Sequence, residues 1–173
     1  ALIPNKGIKY FLEAIPLVAK EHPSAHFVIA GFPADQISEY LAKPLFQERV
    51  TLISPLPYFD LPKILRMSDI GIDPKDPSVR QASGKTLQYM GAGIPTVVFD
   101  TENNREYLEE GGTYATEYSS ESFAKAISSL VCSVWLRQKR GAISRERAET
   151  FSWEHTALVA EKIYEKLLKK TSV

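Results

Sequence analysis

The sequence predicts an α/β domain: a doubly wound, Rossmann-like parallel sheet of about six strands with helices on both faces. Three observations carry this. Apolar runs such as "AHFVIAGF" and "PTVVFD" are nearly continuous, as strands buried on both faces require. Segments with helical apolar spacing separate them, and that alternation implies crossover connections and a parallel sheet. The 173 residues, 44% hydrophobic and 24% charged, suffice for one substantial core and one domain, residues 1–173.

The elements follow in order. Ala1 to Ile3 read as the end of a first strand. "KGIKYFLEAIPLVAKE" places Ile8, Phe11, Leu12, Ile15, Val18 and Ala19 on one helical face, with Pro23 beyond its end. "AHFVIAGF" is a buried strand, Asp35 to Ala42 a weak helix, and "RVTLIS" a short strand. "DLPKILRMS" is helical, with Asp60 as N-cap and Pro62 in the first turn. "DIGID" is a strand, "GKTLQYMGA" a helix with Met90 and Leu87 in the core, and "PTVVFD" a strand. Gly91 and Gly93 read as packing and C-cap residues. "NREYLEEG" is a short helix stopped by Gly111 and Gly112, and "TYATE" a short strand. Three helices close the chain, near Ser120 to Val131, Ser133 to Thr150 and Trp153 to Lys169.

Composition narrows the function classes. Lys and Arg number 21, as do Asp and Glu, so the net charge is zero and no basic excess marks a nucleic-acid binder. Cys132 is the single cysteine, which rules out an internal disulfide and points to a reducing compartment. No apolar run reaches the length of a membrane span. A cytoplasmic location is expected. The opening "ALIPNKG" has no Met, and a fragment of a longer protein is the expectation.

Ligands of such sheets bind beyond the carboxyl ends of the strands. In the "SGKT" stretch there, Gly-Lys-Thr matches the tail of a P-loop, but the pattern needs a glycine at position 79, where Val79 stands. The G-x-G-x-x-G dinucleotide fingerprint is also absent, because the first turn, "PNKGIKY", has one glycine. A helix N-terminus remains. Ser83 is its expected N-cap, and Gly84 lets an anion approach the free amides and the positive end of the dipole. Lys6, in the turn after the first strand, would bring a positive charge near it. His22, His26 and His155 lack metal-ligand spacing, and Asp69, Asp73 and Asp76 show no convergence that spacing alone can establish; no metal is expected. The basic segment "RQKRGAISRER" reads as a solvated helical face or, less simply, a contact for anionic lipid at the inner face of the membrane.

The motifs "PNKGIKYFLEAI", "HFVIAGF", "DLPKILRMSDIGIDP" and "SGKTLQYMGAGIPTVVFD", in this order, resemble the C-terminal, donor-binding domain of retaining glycosyltransferases with the GT-B fold. The nearest group is glycosyltransferase family 4, or group 1. "NNREYLEEGG" and "FSWEHTALVAEKIYEKL" extend the resemblance to nearly the whole chain. It implies a nucleotide-sugar donor such as a UDP-, GDP- or ADP-sugar, transfer with retention, no cofactor and no bound metal. It also implies an N-terminal acceptor domain that this sequence does not contain. Lys6 matches a lysine that contacts the donor diphosphate, and Gly84, Lys85 and Thr86 fall where backbone amides hold the distal phosphate. Gln88 falls at the ribose position, and Leu56, Pro57 and Tyr58 fall near the nucleobase. The catalytic residues are unknown.

The departures are specific. The family's Glu-x7-Glu pair is replaced by Arg80 and Gln88. Gln88 can still bond hydroxyls, whereas Arg80 would bind phosphate or face solvent. The arginine usual shortly before the lysine would fall near Ala1 and is absent. A non-catalytic glycosyltransferase-like scaffold and a sugar-nucleotide epimerase are the alternatives.

Overall fold

The computed structural model describes residues 2, 6–76, 78–79 and 83–171. Helix α1 (Ile8–Glu21) leads to strand β1 (Phe27–Ala30), then to two short helices, α2 (Ser38–Leu41) and α3 (Pro44–Arg49), and to β2 (Val50–Ile53). Next come α4 (Leu61–Arg66), β3 (Gly71–Asp73), α5 (Gly84–Gly91), β4 (Thr96–Phe99), α6 (Glu102–Leu108) and β5 (Gly112–Ala115). Helices α7 (Ser120–Val131), α8 (Val134–Ala148) and α9 (Trp153–Thr171) follow.

All strand pairing is parallel. Strand β1 lies beside β2, with Ala30 opposite Ile53. Strand β4 lies between β3 and β5, with Asp73 opposite Val98 and Phe99 opposite Ala115. Five strands in two groups are therefore formed among the described residues. The expected sixth, Ala1 to Ile3, falls outside them except for Leu2. The Leu2 amide donates to the Phe32 carbonyl at 3.1 Å, and its side chain fills the space a Cβ on Gly31 would need.

Strand β4 shows why helices cover both faces. All four of its residues are buried. Val97 and Phe99 point into a core shared with Leu12, Ile15 and Val18 of α1, Phe27 and Ile29 of β1, and Phe123 and Ile127 of α7. Val98 points the other way, onto Met90 of α5 and Leu108 of α6. This is the period of two expected of a strand, with apolar partners on each side. The first cluster joins β1 to β4 and β5, so both strand groups share one core.

Several local expectations are corrected. Helix α3 was not anticipated; six residues are too few to show a helical period, although Pro44 begins it as helix geometry allows. Asp60 precedes α4, but its carboxylate accepts from Lys63 at 2.6 Å and caps nothing. Helix α6 ends at Glu109, which holds φ 43°, and neither glycine supplies the left-handed residue. Gly93 does adopt φ 71°, after α5.

The basic segment keeps an exposed face that includes Gln138, Lys139, Arg145 and Glu146, and its arginines are also engaged within the chain. Three of its four arginines bind carbonyls at the ends of other helices. Arg137 donates to Leu130 and Val131 at 2.7 and 3.0 Å, closing α7. Arg145 donates to the Gly91 carbonyl at the end of α5. Arg147 donates to Tyr107 at 2.7 Å and to Glu106 at the end of α6, and pairs with Glu109 at 2.9 Å. Arg140 reaches Gly112 and the Thr113 hydroxyl at the start of β5. Guanidinium groups suit these sites because helix C-termini carry orphan carbonyls and partial negative charge. Helix α9 carries exposed apolar side chains, including Trp153, Ile163 and Tyr164. No helix among the described residues is long and apolar enough to cross a membrane.

Candidate functional site

The parallel strands end on one side of the sheet, and there the chain gathers its least ordinary polar cluster. Its centre is Asp73, the last residue of β3, at 2% exposure. A buried carboxylate must be paired and hydrogen-bonded. Thr86 donates to Asp73 Oδ2 at 3.0 Å, and the Ser83 hydroxyl donates to the same oxygen. The Lys85 ammonium sits 2.8 Å from Oδ1. Burial alone would raise the Asp73 pKa; the Lys85 charge and the three hydrogen bonds outweigh it and hold the carboxyl below the ordinary value.

Asp73 therefore fixes the start of α5. Ser83 occupies the N-cap position with an extended backbone, as expected, but its side chain caps nothing, because the buried carboxylate takes the hydroxyl instead. A second tie lies one turn on. The Tyr89 hydroxyl donates to the Ile72 carbonyl at 3.3 Å, and its ring occupies the space a side chain on Gly71 would need. Burial pushes the Tyr89 phenol up to about 12, and the Asp73 charge adds to the shift. Helix α5 is thus anchored to β3 through its inner face. Its first amides, those of Gly84, Lys85 and Thr86, have no intrahelical carbonyl to bond. Among the described residues, nothing beyond its chain neighbours and its own helix lies within 4 Å of where a Gly84 Cβ would be.

The Lys6 turn meets this cluster through Gly7. Gly7 has φ 71°, and a Cβ there would fall on the Pro74 carbonyl oxygen and within 3.1 Å of the Asp76 nitrogen. The turn before α1 and the loop after β3 are therefore seated backbone to backbone. Lys75, in that loop, feels the charges of Asp73, Lys6 and Lys85. Burial lowers its pKa first; Asp73 opposes that, and the two neighbouring ammonium groups lower it further. Asp76 is occupied within its own turn, accepting the Ser78 amide at 2.9 Å and its hydroxyl at 2.6 Å. No group of three or more His, Cys, Asp or Glu side chains converges as a metal site among the described residues.

Tyr58 and Gln88 come together away from the lysines. Both line a cavity of about 510 Å³ between α4 and α5, with Phe59, Leu61, Leu65 and Ala92. Tyr58 is 73% exposed and stands edge-on to Phe59 at 5.6 Å. Leu56 and Pro57 lead into this loop without lining the cavity. Arg80 lies outside the described residues, as do Pro4 and Asn5 of the first turn.

Lys6, Gly84, Lys85 and Thr86 thus gather at one place, with Tyr58 and Gln88 at a second along the same helix. The Lys85 and Thr86 side chains point inward to Asp73, so any service to a ligand comes through their amides. The sequence reading weighs Asp73 only as a metal ligand, not as the brace of α5, and does not consider Lys75. A polar residue closing the apolar strand "DIGID" was the available signal.

The family model described as "Glycosyl transferases group 1" matches residues 1–133. Spore coat protein SA of Bacillus subtilis (strain 168) is 27% identical over 93% of this chain and 46% of its own length. The chain spans less than half the length of the curated relatives it matches. Among solved structures, S. aureus TarM, crystallised with Fondaparinux, alpha-GlcNAc-glycerol and UDP, superposes with a TM-score of 0.78 at 22% identity, covering 99% of this chain and 34% of that one. The C-terminal domain of the glycosyl transferase group 1 family protein LpcC from Francisella tularensis superposes at 0.74 and 19% identity, covering 86% of this chain and 80% of that domain.

Proposed function

This chain belongs to the group 1 glycosyl transferases, and from that premise we propose that it is the donor-binding half of a retaining GT-B glycosyltransferase, working on a nucleotide-sugar. The observation that carries the reading is the start of α5. Its first amides have no intrahelical partner, Gly84 has space around it among the described residues, and Asp73 braces the helix through Lys85 and Thr86. The donor diphosphate lies against the amides of Gly84, Lys85 and Thr86 and beside Lys6. The nucleoside runs toward Gln88 and Tyr58. Departure of the nucleoside diphosphate concentrates negative charge on its oxygens, and fixed amides and ammonium groups stabilise that charge without reorganising. The Gln88 amide bonds ribose hydroxyls in place of a carboxylate. The acceptor, a glycan, a lipid-linked sugar or a small molecule, is bound mainly by an N-terminal domain of the full-length protein, which acts in the cytoplasm or at the inner face of the membrane.

One observation favours a second reading. Gln88 carries no charge and Arg80 replaces the other expected carboxylate, so a domain that binds a donor without transferring its sugar fits the same site.

Calorimetric titration with UDP, GDP and ADP and their sugars tests the proposal. One of the three nucleotides binds. Lys6→Ala weakens it about 10- to 100-fold, the range of a charge-assisted hydrogen bond. Gly84→Ala also weakens it while leaving the melting temperature unchanged, since the added methyl enters open space. Saturation by none of the three would remove the proposal. Donor turnover by the full-length protein separates transfer from binding alone.

A further inference from the structure

Two arginines, Arg66 and Arg145, line the cavity of about 510 Å³ between α4 and α5. Arg145 is committed, because its guanidinium donates to the Gly91 carbonyl. Arg66, the last residue of α4, is exposed and holds no hydrogen bond or ion pair among the described residues. The walls beside it are apolar or aromatic: Leu61 and Leu65 of α4, and the exposed rings of Tyr58 and Phe59. Such walls accept a flat ring, and a guanidinium among them bonds acceptors on the ring's edge. Position along α5 says which ring. The helix rise places Gln88 about 6 Å and Gly91 about 10 Å beyond Gly84 along the axis. A nucleoside diphosphate carries phosphate, pentose and base in that order. With its diphosphate on the first amides and its pentose at Gln88, its base enters the part of the cavity that Arg66 lines with Gly91 and Ala92.

We infer that Arg66 reads the base of the donor and selects one with a carbonyl on that edge, uracil or guanine, over adenine. The inference rests on the donor-site reading above and deepens it. A guanidinium only donates hydrogen bonds. Uracil O4 accepts one of them, and guanine O6 and N7 accept two side by side. Adenine sets its N6 amino group where the carbonyl stands, so donor meets donor and N7 alone accepts. The Tyr58 ring offers a stacking face, which serves every base and therefore adds affinity without choosing.

The test titrates UDP, GDP, ADP and inorganic pyrophosphate into the wild-type chain, Arg66→Met and Arg66→Lys. The wild type binds UDP or GDP about tenfold more tightly than ADP, within the discrimination that one base contact provides. The tighter of the two identifies the base. Arg66→Met lowers the affinity for that nucleotide to the level of ADP. Arg66→Lys keeps part of the preference, because an ammonium still donates to a carbonyl. Pyrophosphate binds all three proteins equally, since the base contact lies about a Debye length from the phosphates at physiological salt. The melting temperature is unchanged, because Arg66 is exposed. If the wild type binds ADP as tightly as UDP and GDP, or if Arg66→Met keeps the preference, the inference falls and the donor site stands. If Arg66→Met weakens pyrophosphate as much as the nucleotides, or loses binding together with thermal stability, Arg66 acts through general charge or structure and the inference falls. If the wild type binds none of the three nucleotides, the donor site and the inference fall together.

Discussion

Asp73→Asn lowers stability by about 3 kcal/mol near neutral pH, the low end of the cost of breaking a buried ion pair, because the partly exposed Lys85 can recover water. For a chain of this size that is roughly 10 °C in melting temperature. The cause is specific. Asp73 is the common acceptor for Ser83, Lys85 and Thr86, and the neutral amide removes the charge that all three address. The loss is also pH-dependent with a defined sign. The folded-state pKa of Asp73 lies below its unfolded value, so its stabilisation is fully present above about pH 4. It disappears as pH falls through the lowered folded value. The stability gap between wild type and Asp73→Asn is therefore flat from pH 7 to about 5 and narrows below pH 4. Denaturant melts of both proteins across that range measure it. A gap that widened on acidification would mean that Asp73 is not held as the anion.

Gly7→Ala is the second large effect. A left-handed φ costs a non-glycine residue roughly 1 kcal/mol, and here the methyl also collides with the Pro74 carbonyl, a backbone atom that cannot step aside. A total loss of about 3 kcal/mol or more is expected, within the range for strain at a special backbone position. The substitution also forces the Lys6 turn off the β3 loop, so donor affinity falls with stability. Gly84→Ala is the matching control, since that glycine has a negative φ and open space around it. Equal stability of the two variants in thermal melts would contradict the close seating of the two loops.

What the sequence revealed and what it concealed follow a physical line. The helices at Ile8–Glu21, Gly84–Gly91 and Ser120–Val131 were legible because apolar spacing and glycine or serine starts are local signals. The resemblance identified the lysine turn and the "SGKT" helix start for the same reason. Asp73 was not legible as an organiser, because its partners lie ten to thirteen residues away and meet it only after β3 and α5 pack. The internal partners of the "RQKRGAISRER" run were not legible for a related reason. Its acceptors, the carbonyls of Leu130, Gly91 and Tyr107, belong to the ends of three other helices. Glu109 took the left-handed position that neighbouring glycines were expected to fill, and nothing in its sequence context marks it for φ 43°.

The most direct measurement is amide chemical-shift mapping of this chain during titration with UDP, GDP and ADP. Saturable shifts from one of them are expected at Lys6 and Gly7 and at Gly84, Lys85 and Thr86. A second group, at Tyr58 and Gln88, should appear with the nucleoside diphosphate and be absent with inorganic pyrophosphate. Shifts that spare the start of α5, or that concentrate on α8 and α9 instead, would contradict it.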